Sequence, residues 1–400
     1  MKIAVIGTSN SVQKNNYVTA LSQDHEVHNL SSGRVSYYAH IKTILKNIAL
    51  LKTMDLIIVD HYINDVNVYS LIMDEKYKER LPLFYSLLSE IGVPILNYLS
   101  AIDKIKDEKG YWFYELVNKL SENFSFNLLD LNKIDFTDGM FADPIHLKRE
   151  VSYLIGMQLS NYLLHNELQC PLPPKNFKNP FALIGEKHLR EYPECEEFEF
   201  QNSLLKISCF RLKDEIILPD NGELISIGYF NYEAEENLFG VSLNGVKYEL
   251  EGERYYHEVA PNLTGPIVVS PLKGRCEDVY SLVERTDFSK PDEMIFDYPA
   301  ITEFLYLKFP EYKIDLPDGK GNPLLIKNLQ ENINLVCSPF GMEVQNKEIR
   351  WIRNAAFSLE GVDSKLSFKL LRIIRRYRPA DKVAMNKLWE IRDRLKGITE

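Results

Sequence analysis

The chain has 400 residues, 45 % of them hydrophobic and 12 % aromatic, and a formal net charge of −10. That length and apolar content predict two or three packed domains and exclude global disorder, while the acidic balance argues against a general nucleic-acid partner. No apolar run reaches the roughly 18 residues of a membrane-spanning helix, and "IAVIG" after Met1-Lys2 is too short for a signal peptide.

Strand and helix signals alternate regularly through the first 165 residues. "KIAVIG" reads as a buried strand and "SVQKNNYVTALSQ" as a helix. "HEVHNL" is a second strand, "YYAHIKTILKNIALLK" a second helix, and "DLIIVDHY" a third strand with the apolar density of a central parallel one. The helix "DEKYKERLPLFYSLLSEIG" closes at Gly92 and Pro94 before the strand "VPILNYL". "YWFYELVNKLSENF", "SFNLLDL" and "LKREVSYLIGMQLSNYLLHN" complete the series as helix, strand and helix. Such alternation predicts a five-stranded parallel sheet covered on both faces, a doubly wound α/β unit with its ligand at the strands' carboxyl ends.

The stretch "PLPPKNFKNP" holds four prolines and breaks the alternation, so 169–182 is read as a linker between a first domain, 1–168, and the remainder of the chain. Short extended runs come next, among them "LLKISCFRL", "ELISIGYF" and "FGVSLNGVKYELEG", whose "LNG" is a hairpin signal. Residues 183–295 are therefore expected to form an antiparallel, sandwich-like accessory domain. The Tyr and Phe of "YFNYEAEENLF" and "GERYYHEVAPN" suit either its packed core or an exposed surface that stacks sugar rings. Residues 296–400 read as a mixed region ending in the amphipathic helices "KLSFKLLRIIRRYR" and "DKVAMNKLWEIRDRLKG", separated by Pro379.

From residue 365 onward there are eleven Lys or Arg against four Asp or Glu. Leu366, Leu370, Ile373 and Ile374 share a face among Lys369, Arg372, Arg375, Arg376 and Arg378. This segment is expected either to dock on its own domain or to touch an anionic membrane or biosynthetic partner. The five cysteines are scattered and never spaced C-x-x-C, which argues against a zinc site or disulfide framework and for a reducing, cytoplasmic compartment.

Four polar constellations fall at predicted carboxyl ends of strands. In "GTSNS" after strand one, Gly7 permits a tight turn, and Ser9 is either a nucleophile or, like Ser11, a helix cap. "NLSSGRVS" after strand two offers the Gly33 N–H to a reacting oxygen, or is ordinary turn chemistry. "DHYINDVN" after strand three offers the Asn64 amide as an oxyanion donor; Asp60 and His61 there suggest instead a metal or acid–base pair. "FTDGMFADPIHLKRE" places Asp143 and His146 in a D-x-x-H loop, a spacing that lets a carboxylate orient an imidazole.

Together these positions resemble the SGNH hydrolase superfamily, the GDSL-like esterases and acyltransferases. The resemblance covers residues 1 to about 165 in the expected order. It implies a flavodoxin-like sheet, a catalytic triad of Ser9, His146 and Asp143, and an oxyanion hole made by the Ser9 and Gly33 N–H groups and the Asn64 amide. Thr8 and Tyr62 depart from it, where the family carries Asp and Gly. The implied chemistry is acyl transfer through an acyl-serine, on an acylated carbohydrate or polysaccharide, to water or to a sugar hydroxyl. No cofactor is implied, apart from acyl-CoA as donor should the protein be a transferase, and no metal. Two other readings compete: a catalytically silent glycan-binding or assembly module, and a phosphate- or nucleotide-binding domain, which lacks G-x-G-x-x-G and a P-loop lysine.

Overall fold

The computed structural model describes residues 1–33, 35–66, 75–102, 108–134, 136, 140–201, 206–230, 238–250, 256–259, 262–277, 279–281, 294–312, 314–319, 333, 346–359, 364–377 and 382–396. Five strands, β1 (Lys2–Gly7), β2 (Glu26–Asn29), β3 (Leu56–Asp60), β4 (Ile95–Leu99) and β5 (Asn127–Asp130), build a parallel sheet in the order β2-β1-β3-β4-β5. This is the doubly wound flavodoxin-like order, with its switch point at β1 and β3. Because side chains alternate along a strand, Ala4, Ile6, Ile57 and Val59 enter one core and Ile3, Val5, Leu56 and Ile58 the other.

Helices α1 (Ser9–Val12), α2 (Tyr17–Leu21), α3 (Tyr37–Leu51), α4 (Glu75–Ser89), α5 (Glu108–Asn123) and α6 (Arg149–His165) complete the unit. Side chains of α3, α4 and α5 fill the first core, and those of α2 and α6 the second. One helix expected from residue 11 to 23 is in fact two short ones. Asn15 turns into the left-handed region at φ 57, and the Asn16 side chain accepts the N–H groups of Val18 and Thr19 at 3.0 and 3.1 Å, restarting the helix. Asp143 and His146, expected in a loop, stand on a small antiparallel hairpin of β6 (Phe141–Asp143) and β7 (His146–Leu147).

Residues 166–180, including the proline-rich stretch, form no helix or strand. One following sheet contains β8 (Phe181–Ile184), β9 (Cys195–Gln201), β10 (Lys206–Leu212), β12 (Glu223–Phe230), β15 (Tyr256–Val259), β16 (Leu263–Thr264) and β21 (Ala300–Leu307). The other contains β11 (Ile216–Leu218), β13 (Leu238–Leu243), β14 (Val246–Glu249), β17 (Ile267–Pro271), β18 (Gly274–Cys276), β19 (Tyr280–Ser281) and β20 (Met294–Asp297). Both sheets bury side chains in one shared core, as a sandwich does. Pairing is antiparallel apart from β13 with β20 and β14 with β19. The "LNG" signal is the β13–β14 turn, with Asn244 and Gly245 at φ 51 and 88.

Tyr229, Phe230 and Phe239 are buried, so these aromatics serve the core rather than an exposed stacking surface. The rest of "YFNYEAEENLF" at 231–237, and most of "GERYYHEVAPN", lie outside the described residues.

The sandwich packs on the first unit through α3 and α4. Phe181, Ile225, Leu305 and Leu307 belong to the same core as Ile41, Ile44 and Leu81. Two buried carboxylates lock the contact. Glu303 on β21 pairs with Lys42, at 3.7 Å, and with Lys46, both on α3. Glu223 on β12 receives Arg80 at 2.5 Å and Lys76 at 2.8 Å from α4.

Three C-terminal helices, α8 (Asn346–Ser358), α9 (Ser364–Tyr377) and α10 (Lys382–Lys396), follow a short α7 (Glu186–Leu189) in the chain and close the fold. Leu366, Leu370 and Ile374 are buried with Tyr153 and Leu154 of α6, which is the docked alternative for this segment. The side chains of Ile373, Arg375, Arg376 and Arg378, and Pro379, lie outside the described residues. Among the described residues no helix is long and apolar enough to cross a membrane.

Candidate active site

All four constellations sit on the carboxyl edge of the parallel sheet. Ser9 follows β1 as the first residue of α1, and its Oγ lies 2.7 Å from His146 Nε2. His146 Nδ1 faces both oxygens of Asp143, at 2.9 and 2.8 Å. An ionised Asp143 can only accept, so Nδ1 carries the proton and Nε2 is left to accept the Ser9 O–H. Burial pushes the Asp143 carboxyl upward, but the Ile145 N–H at 3.0 Å and the His146 ring outweigh it and hold the group below its ordinary value. The hairpin is fastened to the Ser9 turn by Asn10, whose amide donates to the Ile145 carbonyl at 3.3 Å.

The other two predicted positions follow the ends of β2 and β3. The Ser32 N–H donates to the Gly7 carbonyl at 3.0 Å, which ties the turn carrying Gly33 to the end of β1. Among the described residues, neither the Ser9 nor the Gly33 N–H has a hydrogen-bond partner. Asn64 lies in a helical turn over 62–66, and one of its amide N–H bonds is given to the Val35 carbonyl at 3.0 Å. The same amide has a second N–H. Tyr62 is wholly buried, with its ring in the core 5.8 Å from that of Tyr114.

Two expectations change. Ser11 does not cap α1; its hydroxyl donates to Asp60 Oδ2 at 2.9 Å and contacts the Tyr17 hydroxyl at 2.6 Å. Asp60 and His61 do not act as a pair, because neighbouring residues at a strand end face opposite ways. Asp60 turns toward the Ser9 loop. His61 turns into the first core, with Nδ1 on Asp65 at 2.5 Å and Nε2 on the Tyr85 hydroxyl at 3.1 Å. Asp65 also accepts the Tyr37 N–H at 2.8 Å and the Tyr77 hydroxyl, so this buried network braces the turn that carries Asn64.

Sequence reasoning missed Asn10 and Ser100, and it named Thr8 and Asp60 without the role they have in holding the site. What brings Asp60 to the site is the register of parallel β1 and β3, which end with Gly7 beside Asp60.

No family model matches the chain, and no curated protein matches it. Among solved structures it resembles the acetyl xylan esterase AlAXEase at 15 % identity and a TM-score of 0.35, over 42 % of this chain and 100 % of that one. It also resembles translation elongation factor SelB from Methanococcus maripaludis in its apo form, at 8 % identity and a TM-score of 0.23, over 69 % and 57 % of the two chains. A third likeness is to CapF with the inhibitor 3-isopropenyl-tropolone, at 11 % identity and a TM-score of 0.19, over 77 % and 96 %. Likenesses this low carry no argument about activity.

Proposed function

We propose that the protein is a serine-dependent ester hydrolase that removes O-acyl groups, acetyl foremost, from a carbohydrate. One observation carries the reading: Ser9 Oγ, the His146 ring and the Asp143 carboxylate form a continuous hydrogen-bonded row. The motif resemblance of residues 1 to about 165 to SGNH hydrolases supports it independently.

In this reading Ser9 Oγ attacks the ester carbonyl while His146 Nε2 takes its proton. Asp143 keeps the imidazole oriented and stabilises the imidazolium. The Ser9 and Gly33 N–H groups and the second N–H of Asn64 receive the oxyanion of the tetrahedral intermediate. His146 then gives its proton to the departing sugar alcohol as the carbon–oxygen bond breaks, leaving acyl-Ser9. Water, deprotonated by the same ring, releases the acid and restores the serine.

The test is hydrolysis of p-nitrophenyl acetate and of a peracetylated disaccharide by the wild type, Ser9→Ala and His146→Ala. Ester cleavage by the wild type alone supports the reading. Equal rates in all three, or none in the wild type together with no fluorophosphonate labelling of Ser9, overturns it.

A further inference from the structure

Asp60 is wholly buried, and among the described residues its carboxylate hydrogen-bonds to Thr8, Ser11 and Ser100 rather than to any residue assigned above to the chemistry. It ends β3 directly beside Gly7, the last residue of β1, so its carboxyl emerges against the turn that presents Ser9. Oδ2 accepts the hydroxyls of Thr8 at 3.3 Å and Ser11 at 2.9 Å, the residues on either side of the turn. Oδ1 accepts Ser100 Oγ at 2.9 Å, at the end of β4.

Directions along this chain of bonds are fixed. Ser11 has a single hydroxyl proton, which goes to Asp60, so the Tyr17 hydroxyl must donate to Ser11 Oγ. Burial and the nearby Asp60 hold the Tyr17 phenol well above its ordinary value, which keeps it a neutral donor.

Something must hold this turn from outside. Helix α1 has four residues, too short to persist by its own hydrogen bonds, and Thr8 at its N-cap makes no side-chain cap bond. The Thr8 hydroxyl that could have capped it is turned to Asp60 instead. Gly7 fits the same account, since a Cβ there would lie 2.1 Å from Ser11 Oγ.

We infer that Asp60 is a positioning residue for Ser9: by gathering the Thr8 and Ser11 hydroxyls it fixes the turn so that Ser9 Oγ points at His146 Nε2. This rests on the serine-nucleophile reading above. Asp60 itself touches no reacting atom.

The experiment measures fluorophosphonate labelling of Ser9, p-nitrophenyl acetate kinetics and Tm for Asp60→Asn, for Thr8→Val with Ser11→Ala, and for all three together. The Asn amide places N–H donors where hydroxyl donors already converge, and displacement of the nucleophile lowers labelling and kcat by about 100-fold with KM unchanged. The Thr8→Val, Ser11→Ala variant shows the same loss. The combined variant shows no further loss, because one route of action is removed once.

Should Asp60→Asn not fold, Thr8→Val with Ser11→Ala carries the test, since it keeps the carboxylate. Wild-type labelling with undiminished rates in either variant overturns the positioning role while leaving the serine mechanism intact, as do losses that multiply. A wild type that is not labelled at all overturns the serine mechanism, and this role with it.

Discussion

The His146 Nδ1 atom meets both carboxylate oxygens of Asp143, at 2.9 and 2.8 Å, across a hairpin whose strands place the two residues three positions apart. So short a connection makes the ring's orientation a local property of the hairpin. The nucleophile, 137 positions away, has to be delivered to it by the sheet.

Replacing Asp143 by Asn frees the ring to take the wrong tautomer, and kcat is expected to fall roughly 10³–10⁴-fold. Ser9→Ala, His146→Ala and the double variant should lose similar amounts, because the row acts as a unit. Steady-state kinetics on p-nitrophenyl acetate check both points. An Asp143→Asn enzyme within a few-fold of wild type would refute the orienting role.

Asn64→Ala removes one oxyanion donor and should cost about 10²–10³ in kcat with little change in KM. It also frees the Val35 carbonyl, so Tm should drop slightly. A loss seen only in KM would mean that Asn64 contacts the bound substrate and not the transition state.

Two glycines should behave oppositely. Gly7→Ala puts a Cβ 2.1 Å from Ser11 Oγ and 2.6 Å from its Cβ, whereas nothing lies within 4 Å of a Cβ at Gly33. The first should destabilise by about 2–3 kcal/mol, the scale of overpacking a closed site, and displace the nucleophile. Gly33→Ala should leave Tm and activity close to wild type, since its proposed role uses only the backbone N–H. Denaturant melts and kinetics on the two variants decide.

Glu303→Leu takes the carboxylate away from Lys42, which is 1 % exposed, and should cost about 3–5 kcal/mol. Adding Lys42→Met should restore most of it. Both parts share one core with Ile41 and Leu305, so the melt should remain a single transition.

Burial raises the Asp60 carboxyl above its ordinary value, against the hydroxyls of Ser100, Ser11 and Thr8. An acid whose folded pKa is raised contributes stability fully present below the unfolded value, about 3.9, and lost as pH rises through the folded value. Wild-type stability should therefore decline relative to Asp60→Asn as pH rises from about 4, then level off above the folded pKa. Urea melts across that range test the sign; a difference growing in favour of the wild type with rising pH would contradict it.

The doubly wound sheet was legible because β1 and β3 are nearly unbroken apolar runs and strand and helix signals alternate regularly around them. The row from Ser9 to Asp143 was legible because its members lie in short motifs at strand ends. What was not legible depends mostly on contacts between distant segments, and at one place on local backbone conformation. Whether Ser11 caps α1 or bonds Asp60 is decided by the pairing of β1 with β3. Asn15 and Asn16 break an otherwise helical pattern through backbone conformation and a side-chain cap. The burial of Tyr229 and Phe239 results from two sheets meeting face to face, while Phe230, on the opposite face of its strand, is buried against Cys209, Ala300, Phe198 and Phe200.

The carboxylate of Glu303 lies 257 positions after Lys46, on a strand near the close of the sandwich. At a synthesis rate of about 5–20 residues per second, helix α3 waits about 13–50 s on the ribosome before its counter-charge exists. Throughout that interval Ile41 and Ile44 also lack Leu305 and Leu307, so the nascent sheet carries an uncovered basic and oily flank. A chaperone that shields such a flank would be needed most during this one stretch of translation, and ribosome pausing before β21 would lengthen the exposure.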